Sequence, residues 1–198
     1  MTSRDDLRIG VFVCDCGSNI AGMVDTEAVR EYAAQLPNVV AAVRNKYTCS
    51  DPGQQEIQRR IYEHQLNRVV VASCSPASYE PIFRQCIVGA GLNPYLLEMA
   101  NIREHCSWVT KDREAATWKA KDIVKTAVAR SRWLYPQDEE QIPVCNTALV
   151  IGGGIAGIQS ALDLADDGYK VYLVEKKPSI GGLMAQLDKV YPDIECSI

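Results

Sequence analysis

The sequence predicts an α/β protein made of two units built on parallel sheets, and three observations predict it. Short apolar runs of strand length alternate with segments whose apolar residues recur at helical spacing. An acidic stretch with two prolines, residues 135–146, interrupts that alternation. A glycine-rich turn, Gly152-x-Gly154-x-x-Gly157, then opens a second strand–helix–strand series. The expected organisation is an N-terminal Rossmann-like domain over 1–134, a linker over 135–146, and the first βαβ stretch of a second Rossmann-type domain over 147–198.

Residues 9–14, Ile-Gly-Val-Phe-Val-Cys, read as a buried strand. Asp25 and Thr26 mark a helix start, with Ala28, Val29, Tyr32, Ala33 and Leu36 on one face, and Pro37-Asn38 ends it. Residues 39–47 are a second strand. Ser50-Asp51-Pro52 supplies a cap and an early proline for a helix reaching about His64. Residues 68–73 are a third strand, Tyr79 to about Ala90 a third helix closed by Gly91, and residues 94–99 a fourth strand. Asp112 to about Trp133 is a long helix rich in Ala, Lys and Arg. Thr147 begins the next strand.

Composition narrows the function classes. Apolar residues make up 47% of the 198, enough for a packed core. Net charge is -4, with acids and bases mixed, so no basic patch of the kind that binds nucleic acid is expected. The first six residues are polar, without the apolar region of a secretory signal, and no apolar run approaches the ~18 residues of a membrane span. A cytoplasmic protein is expected. Its eight cysteines then read as ligands, redox groups or buried thiols rather than disulfides.

Five of those cysteines follow strands: Cys14 and Cys16 the first, Cys49 the second, Cys74 the third, and Cys106 the fourth. Ligands of open parallel sheets bind outside the carboxyl ends of the strands, so residues scattered in sequence should converge at one edge. Four thiolates, soft and anionic, suit an iron–sulfur cluster or a zinc ion. Five candidates stand for four places, and buried apolar thiols are the competing reading. Cys86 sits in a helix among Ile82, Phe83 and Val88 and reads as core. Cys145 lies in the linker without a visible partner.

The glycine turn has the context that its motif requires. Strand residues Ala148 to Ile151 precede it, a helix with Ala161, Leu162, Leu164 and Ala165 follows to Gly168, and Lys170 to Val174 form the next strand. Gly152 permits the tight turn, Gly154 the approach of a pyrophosphate, and Gly157 close helix–strand packing. The helix N-terminus offers amide donors to phosphates. Glu175 is placed to accept hydrogen bonds from ribose hydroxyls and to repel a 2′-phosphate. The loop does not decide between FAD and NAD. A second glycine pair, Gly181-Gly182, would also let backbone approach a cofactor.

Taken together these motifs resemble the flavoprotein A subunit of heterodisulfide reductase. The resemblance is carried by Ile151-Gly152-Gly153-Gly154-Ile155-Ala156-Gly157-Ile158-Gln159, by Val174-Glu175-Lys176, and by Ser179-Ile180-Gly181-Gly182-Leu183-Met184. In the N-terminal part it is carried by Cys14-Asp15-Cys16-Gly17-Ser18-Asn19, Tyr47-Thr48-Cys49-Ser50-Asp51-Pro52, Ala72-Ser73-Cys74-Ser75-Pro76 and Asn101-Ile102-Arg103-Glu104-His105-Cys106-Ser107-Trp108. It covers nearly the whole chain. It implies FAD, held by Gly152, Gly154, Ile155, Ala156, Gly157, Glu175, Lys176, Gly182 and Leu183. It also implies a [4Fe–4S] cluster held by cysteines among Cys14, Cys16, Cys49, Cys74 and Cys106. The implied role is electron transfer, with electron bifurcation in several members. The implied partners are the other subunits of such a redox complex and the polypeptide that completes the FAD domain.

The family's chains run much longer, so a fragment inactive alone is expected. The family places a Cys-x-x-Cys pair where this chain reads Cys196-Ser197-Ile198, and some members use selenocysteine for its second position. The expectation is a split or prematurely ended reading frame, with a separately encoded short subunit as the competing explanation. A different function class also stands: a non-catalytic assembly module with structural or zinc-bound cysteines. Iron, sulfide and flavin content separates the two.

Overall fold

The computed structural model describes residues 6–196. They fall into two compact units, one running to Asp138 and the other starting at Glu139. The expectation drawn from the polar first residues rests almost wholly on positions outside the described residues, as do Ser197 and Ile198 of the terminal triplet.

The first unit begins with β1 (Ile9–Cys14), whose six residues are all buried. Cys16 and Gly17, at φ 47° and 58°, turn the chain into a single helical turn, α1 (Ser18–Ala21). Asp25 caps α2 (Thr26–Ala33), its carboxylate accepting the Ala28 N–H. Next come β2 (Val39–Asn45) and α3 (Asp51–His64), the latter capped by Ser50 with Pro52 in its first turn. Then follow β3 (Arg68–Ser73), α4 (Pro76–Gly89), β4 (Leu97–Asn101) and α5 (Arg113–Ser131), the last capped by Asp112.

The strands pair in the order β2-β1-β3-β4, all parallel. Val11 of β1 lies beside Ala42 on one flank and Val70 on the other. The chain steps outward from β1 to β2 and then crosses to β3 on the other side. This reversal is the switch point where ligands of such sheets bind. The pleat sorts the core into two layers. Ile9, Val11 and Val13 pack with Val29 and Ala33 of α2 and with Ala116, Ala120 and Val124 of α5. Phe12, Val69 and Val71 pack on the opposite face with Ile57 and Ile61 of α3 and Phe83 and Ile87 of α4.

Arg68, at the start of β3, is buried. Its guanidinium donates to the carbonyls of Ser131 (3.1 Å) and Leu134 (2.7 Å), pinning the end of α5 to the sheet, and to its neighbour Asn67 (2.6 Å).

Several element bounds differ from the sequence expectation. The third helix starts at Pro76 rather than Tyr79, because a proline in the first turn lacks only an N–H that would have had no partner there. The fourth strand is displaced to Leu97–Asn101. Asn93 accepts the Tyr95 N–H at 3.0 Å and caps a 3-10 turn that takes up Pro94–Leu96. The second strand stops at Asn45, two residues short of its expected end. A π-helical turn, Arg103–Ser107, follows β4.

In the second unit β5 (Thr147–Ile151) and β6 (Lys170–Val174) pair in parallel around α6 (Ile155–Asp166). A small antiparallel pair follows, β7 (Lys189–Val190) with β8 (Glu195–Cys196). Side chains alternate along β5 and β6 between half-buried and exposed, and Ile151 reaches 81% exposure. Among the described residues no helix is long and apolar enough to cross a membrane.

Candidate functional site

The carboxyl ends of β1, β2 and β3 place four sulfur-bearing residues along one edge of the first unit. Cys14 ends β1, and its Sγ accepts the N–H groups of Cys16 and Thr48, both at 3.3 Å. The left-handed turn at Cys16 and Gly17 makes this possible by doubling the chain back over Cys14. Gly17 could not carry a side chain without strain: its φ is positive, and an added Cβ would lie 2.8 Å from the Tyr47 hydroxyl. Asp15, between the two cysteines, is itself anchored. Its carboxylate accepts from Arg44 and from Thr26 Oγ1 (2.6 Å), and its carbonyl accepts the N–H groups of Ile20 and Ala21.

Cys49 leads into α3 and Cys74 into α4. Burial first, then the neighbouring Cys14 sulfur, push the Cys49 thiol up, with a further push from Cys16 and an opposing pull from Arg103. Burial pushes the Cys74 thiol up to about 11, Arg103 pulls it back, and Cys16 and Cys14 add to the rise. Cys14 and Cys16 thus act on both Cys49 and Cys74, and so does Arg103. The Arg103 side chain comes from the π-helical turn after β4, and its Nη1 donates to Cys16 Sγ at 3.4 Å.

Cys106, the fifth candidate, has partners of its own. It is fully buried in the layer under α5 beside Ala116 and Ala120, and its thiol donates to the Ala116 carbonyl at 3.1 Å. Burial pushes this thiol up as well. Cys106 and Arg103 belong to the same π-helical turn, Cys106 buried in the core and Arg103 bonded to Cys16. Cys86 lies in the opposite layer, its thiol on the Gln54 carbonyl at 3.4 Å. Cys145 and Cys196 are exposed, both in the second unit.

Whether this edge suits a thiolate-bound cluster can be judged from its own atoms. Among the described residues, the buried side-chain polar atoms lacking a hydrogen-bond partner are Asn45 Nδ2, Thr48 Oγ1, Ser73 Oγ and Glu104 Oε2. Asn45 ends β2, Thr48 precedes Cys49, Ser73 precedes Cys74, and Glu104 follows Arg103. Asn45 Nδ2, Thr48 Oγ1 and Ser73 Oγ, each close in sequence to a cysteine after its strand, are donors that thiolate or sulfide sulfur could satisfy; the Glu104 oxygen is an acceptor and is not of that kind. Among the described residues no three His, Cys, Asp or Glu side chains form a closed metal-ligand set. The edge has the donor chemistry of a thiolate site, in four cysteines, and three hydrogen-bond donors without partners.

Sequence reasoning missed Asp15, Arg44 and Arg103 as parts of this edge. The rule that found the cysteines reaches two of them, since Asp15 and Arg103 also follow strand ends.

The glycine turn of the second unit follows β5. Gly152 has φ 105°, and a Cβ on Gly157 would run into the Gly152 carbonyl oxygen. No side chain caps the first turn of α6, and nothing lies within 4 Å of where a Gly154 Cβ would be. The first-turn amides of Ile155, Ala156 and Gly157 therefore face open space suited to a phosphate. Glu175, at the end of β6, accepts the Gly153 N–H with Oε2 (2.7 Å) and the Lys177 N–H with Oε1 (2.8 Å). Those bonds, Lys177 first and then Gly153, hold its carboxyl below the usual range, and the Lys176 amide adds to the effect. Each oxygen keeps a lone pair for another donor.

The second glycine pair folds onto this turn. Gly181 donates its N–H to the Gly153 carbonyl at 2.7 Å, and a Cβ on Gly182 would lie 2.9 Å from Gly154 Cα. Leu183 is left exposed beside it. The structure therefore brings Gly152, Gly154, Gly157, Glu175 and Gly182 into one cradle, with Ile155 and Ala156 at the helix start and Lys176 at its rim.

An α/β turn of this kind defines a dinucleotide-binding unit, and residues 148–193 match the family described as FAD dependent oxidoreductase. The wider similarity is more specific. The chain is 60% identical over 197 residues to the A subunit of the H(2):CoB-CoM heterodisulfide,ferredoxin reductase of Methanothermobacter marburgensis, covering 99% of this chain and 30% of that one. It is equally similar, with the same coverage, to an iron-sulfur A subunit of the CoB--CoM heterodisulfide reductase of Methanopyrus kandleri. A protein of Archaeoglobus profundus, named for its likeness to the heterodisulfide reductase A subunit, is 53% identical over 196 residues, 98% of this chain and 28% of the relative. The chain is homologous to the heterodisulfide reductase A subunits and spans about 30% of the length of these curated relatives.

Proposed function

We infer that this chain forms part of an FAD- and [4Fe–4S]-containing electron-transfer subunit of a heterodisulfide reductase-like complex. The observation that carries the reading is the placement of Cys14, Cys16, Cys49 and Cys74 at one strand-end edge, with three buried donors without partners, on Asn45, Thr48 and Ser73, close by in sequence. These four cysteines are the proposed cluster ligands, and Cys106 is assigned to the core. In the second unit the amides of the α6 first turn receive the FAD pyrophosphate, Gly154 and Gly182 let it approach, and Glu175 takes the ribose hydroxyls. When bound, the flavin exchanges electron pairs and the cluster single electrons, while the protein supplies position and potential.

The partners are the other subunits of the redox complex and the polypeptide that supplies the remaining flavin-domain strands, in the cytoplasm. The exposed faces of β5 and β6, of the apolar kind that parallel sheets bury on both sides, support that requirement. Electron bifurcation at the flavin is the finer form of the same proposal.

Anaerobic purification, reconstitution with iron and sulfide, and analysis for iron, acid-labile sulfide and zinc test the reading. About four irons per chain are expected for a [4Fe–4S] cluster. A colourless, iron-free protein, or one holding zinc, sinks it in favour of an assembly module.

A further inference from the structure

The cysteine edge contains one cation that directly touches a thiol. Arg103 Nη1 donates to Cys16 Sγ at 3.4 Å, while Nε (3.1 Å) and Nη2 (2.8 Å) both donate to Glu104 Oε1. The guanidinium also lies over the Trp108 ring, 4.9 Å from its centroid. Backbone geometry fixes the approach. The Asn101 side chain, at the end of β4, accepts the N–H groups of both Arg103 and Glu104, at 3.2 and 3.0 Å. The Arg103 side chain is only 17% exposed, and its charge also acts on Cys49 and Cys74. It is therefore a largely desolvated charge held rigidly against a thiol cluster, not a surface cation.

Resting on the cluster reading above, we propose that Arg103 is a positioning residue that raises the reduction potential of the iron–sulfur cluster on this edge, through its hydrogen bond to Cys16 and its fixed positive charge. Reduction adds one electron to the cluster, with no bond broken and no proton required. The added negative charge is stabilised by a neighbouring cation and by donors to the ligating sulfur. Low exposure keeps the interaction from being screened as a surface pair would be. Glu104 works against this effect by partly neutralising the guanidinium. Its carboxyl is held below the ordinary value against the push of burial, by Arg103 and by the backbone amides of Glu104 and Ser75.

The test is an anaerobic redox titration of the full, reconstituted chain with dithionite, followed by electron paramagnetic resonance, with iron and sulfide measured on the same samples. Arg103→Gln should keep the iron and sulfide of the unsubstituted chain and titrate at a more negative midpoint. Arg103→Lys, which keeps charge but loses the planar fork, should fall between the two. Glu104→Gln retains an oxygen for Arg103 and should move the midpoint in the positive direction. An unchanged midpoint in fully loaded Arg103→Gln overturns the inference and leaves the cluster reading intact. If Arg103→Gln loses iron, an unchanged midpoint in Glu104→Gln overturns the inference instead. An unsubstituted chain without iron and sulfide overturns the cluster reading and this inference with it. A role confined to packing on Trp108 would change thermal stability and leave the midpoint where it was.

Discussion

Arg44 grips Asp15 with two parallel hydrogen bonds, Nε to Oδ1 and Nη2 to Oδ2, each 2.9 Å long. Asp15 is 8% exposed and sits between Cys14 and Cys16, so this pair holds the turn that carries two of the four edge cysteines. The fork geometry matters because a planar guanidinium fixes the carboxylate plane as well as its distance.

Arg44→Ala should destabilise the first unit by about 1.5–3 kcal/mol, the range for a hydrogen bond to a charged group. The value should fall near the lower end, since the Arg44 side chain is 41% exposed and solvent screens it. Arg44→Lys should recover only part of the loss. Urea unfolding followed by circular dichroism measures both, and a midpoint unchanged by either substitution contradicts the anchoring role.

The two environments of cysteine predict opposite outcomes for substitution. Cys106→Ala should retain iron after reconstitution while lowering thermal stability, because it removes a packed thiol from the core. Cys14→Ser, Cys16→Ser, Cys49→Ser and Cys74→Ser should each cut iron content. Loss of iron in Cys106→Ala, with iron retained in one of the other four, reverses the assignment.

Glu98 gives a pH dependence with a definite sign. Burial pushes its carboxyl above the ordinary value of 4.5, and Arg130, bonded to it at 2.9 Å, pulls it partly back. Between 4.5 and the raised value the folded state binds more protons than the unfolded one, so stability falls as pH rises. The contribution is complete below the ordinary carboxylate value and is lost as pH climbs through the raised one. Glu98→Gln should flatten this slope. Urea midpoints between pH 4 and pH 7, compared for the two proteins, give the answer; parallel curves would refute it.

Gly157→Ala should disrupt the second unit, since the new Cβ collides with the Gly152 carbonyl oxygen and neither backbone segment can yield cheaply. Overpacking of this kind costs about 1–3 kcal/mol. Amide exchange at Val150, Ile151 and Leu173 should accelerate relative to the unsubstituted chain. Equal rates would mean that the turn tolerates the methyl group.

The exposed strands of the second unit predict weak protection even without substitution. Amides of β5 and β6 should exchange faster than those of β1 and β3 in the isolated chain, because a two-stranded sheet has few buried contacts to cooperate with. Uniform protection across both units would show that residues 147–174 form a complete core by themselves.

The sheet was legible in the sequence because its signals are local. Residues 9–14 are an unbroken apolar run and residues 69–72 another, and Asp25, Ser50 and Asp112 stand at the helix starts expected there. The placement of Cys14, Cys49 and Cys74 at or just after the ends of β1, β2 and β3 follows from topology alone. What escaped notice depended on side-chain direction. A strand-end rule places Cys106 with the others, yet a π-helical turn sends its thiol to the Ala116 carbonyl. Arg103 of the same turn bonds Cys16 across 87 residues of sequence; the strand-end rule puts Arg103 at this edge, but not its hydrogen bond to one particular thiol. In the glycine turn, the motif located Glu175, but not that both its oxygens would already hold backbone amides.

Arg68 has a mechanical consequence. Its guanidinium ties the carbonyls of Ser131 and Leu134 to an interior strand, so a pull on the chain beyond Leu134 is borne first by the sheet rather than by the last turn of α5. The stretch just past α5 is thereby a fixed mooring. A second tie follows at Gln137, whose N–H donates to Asn93 Oδ1 (3.3 Å) and whose carbonyl accepts from Asn93 Nδ2 (2.8 Å), so the first unit keeps hold of the chain to its end at Asp138.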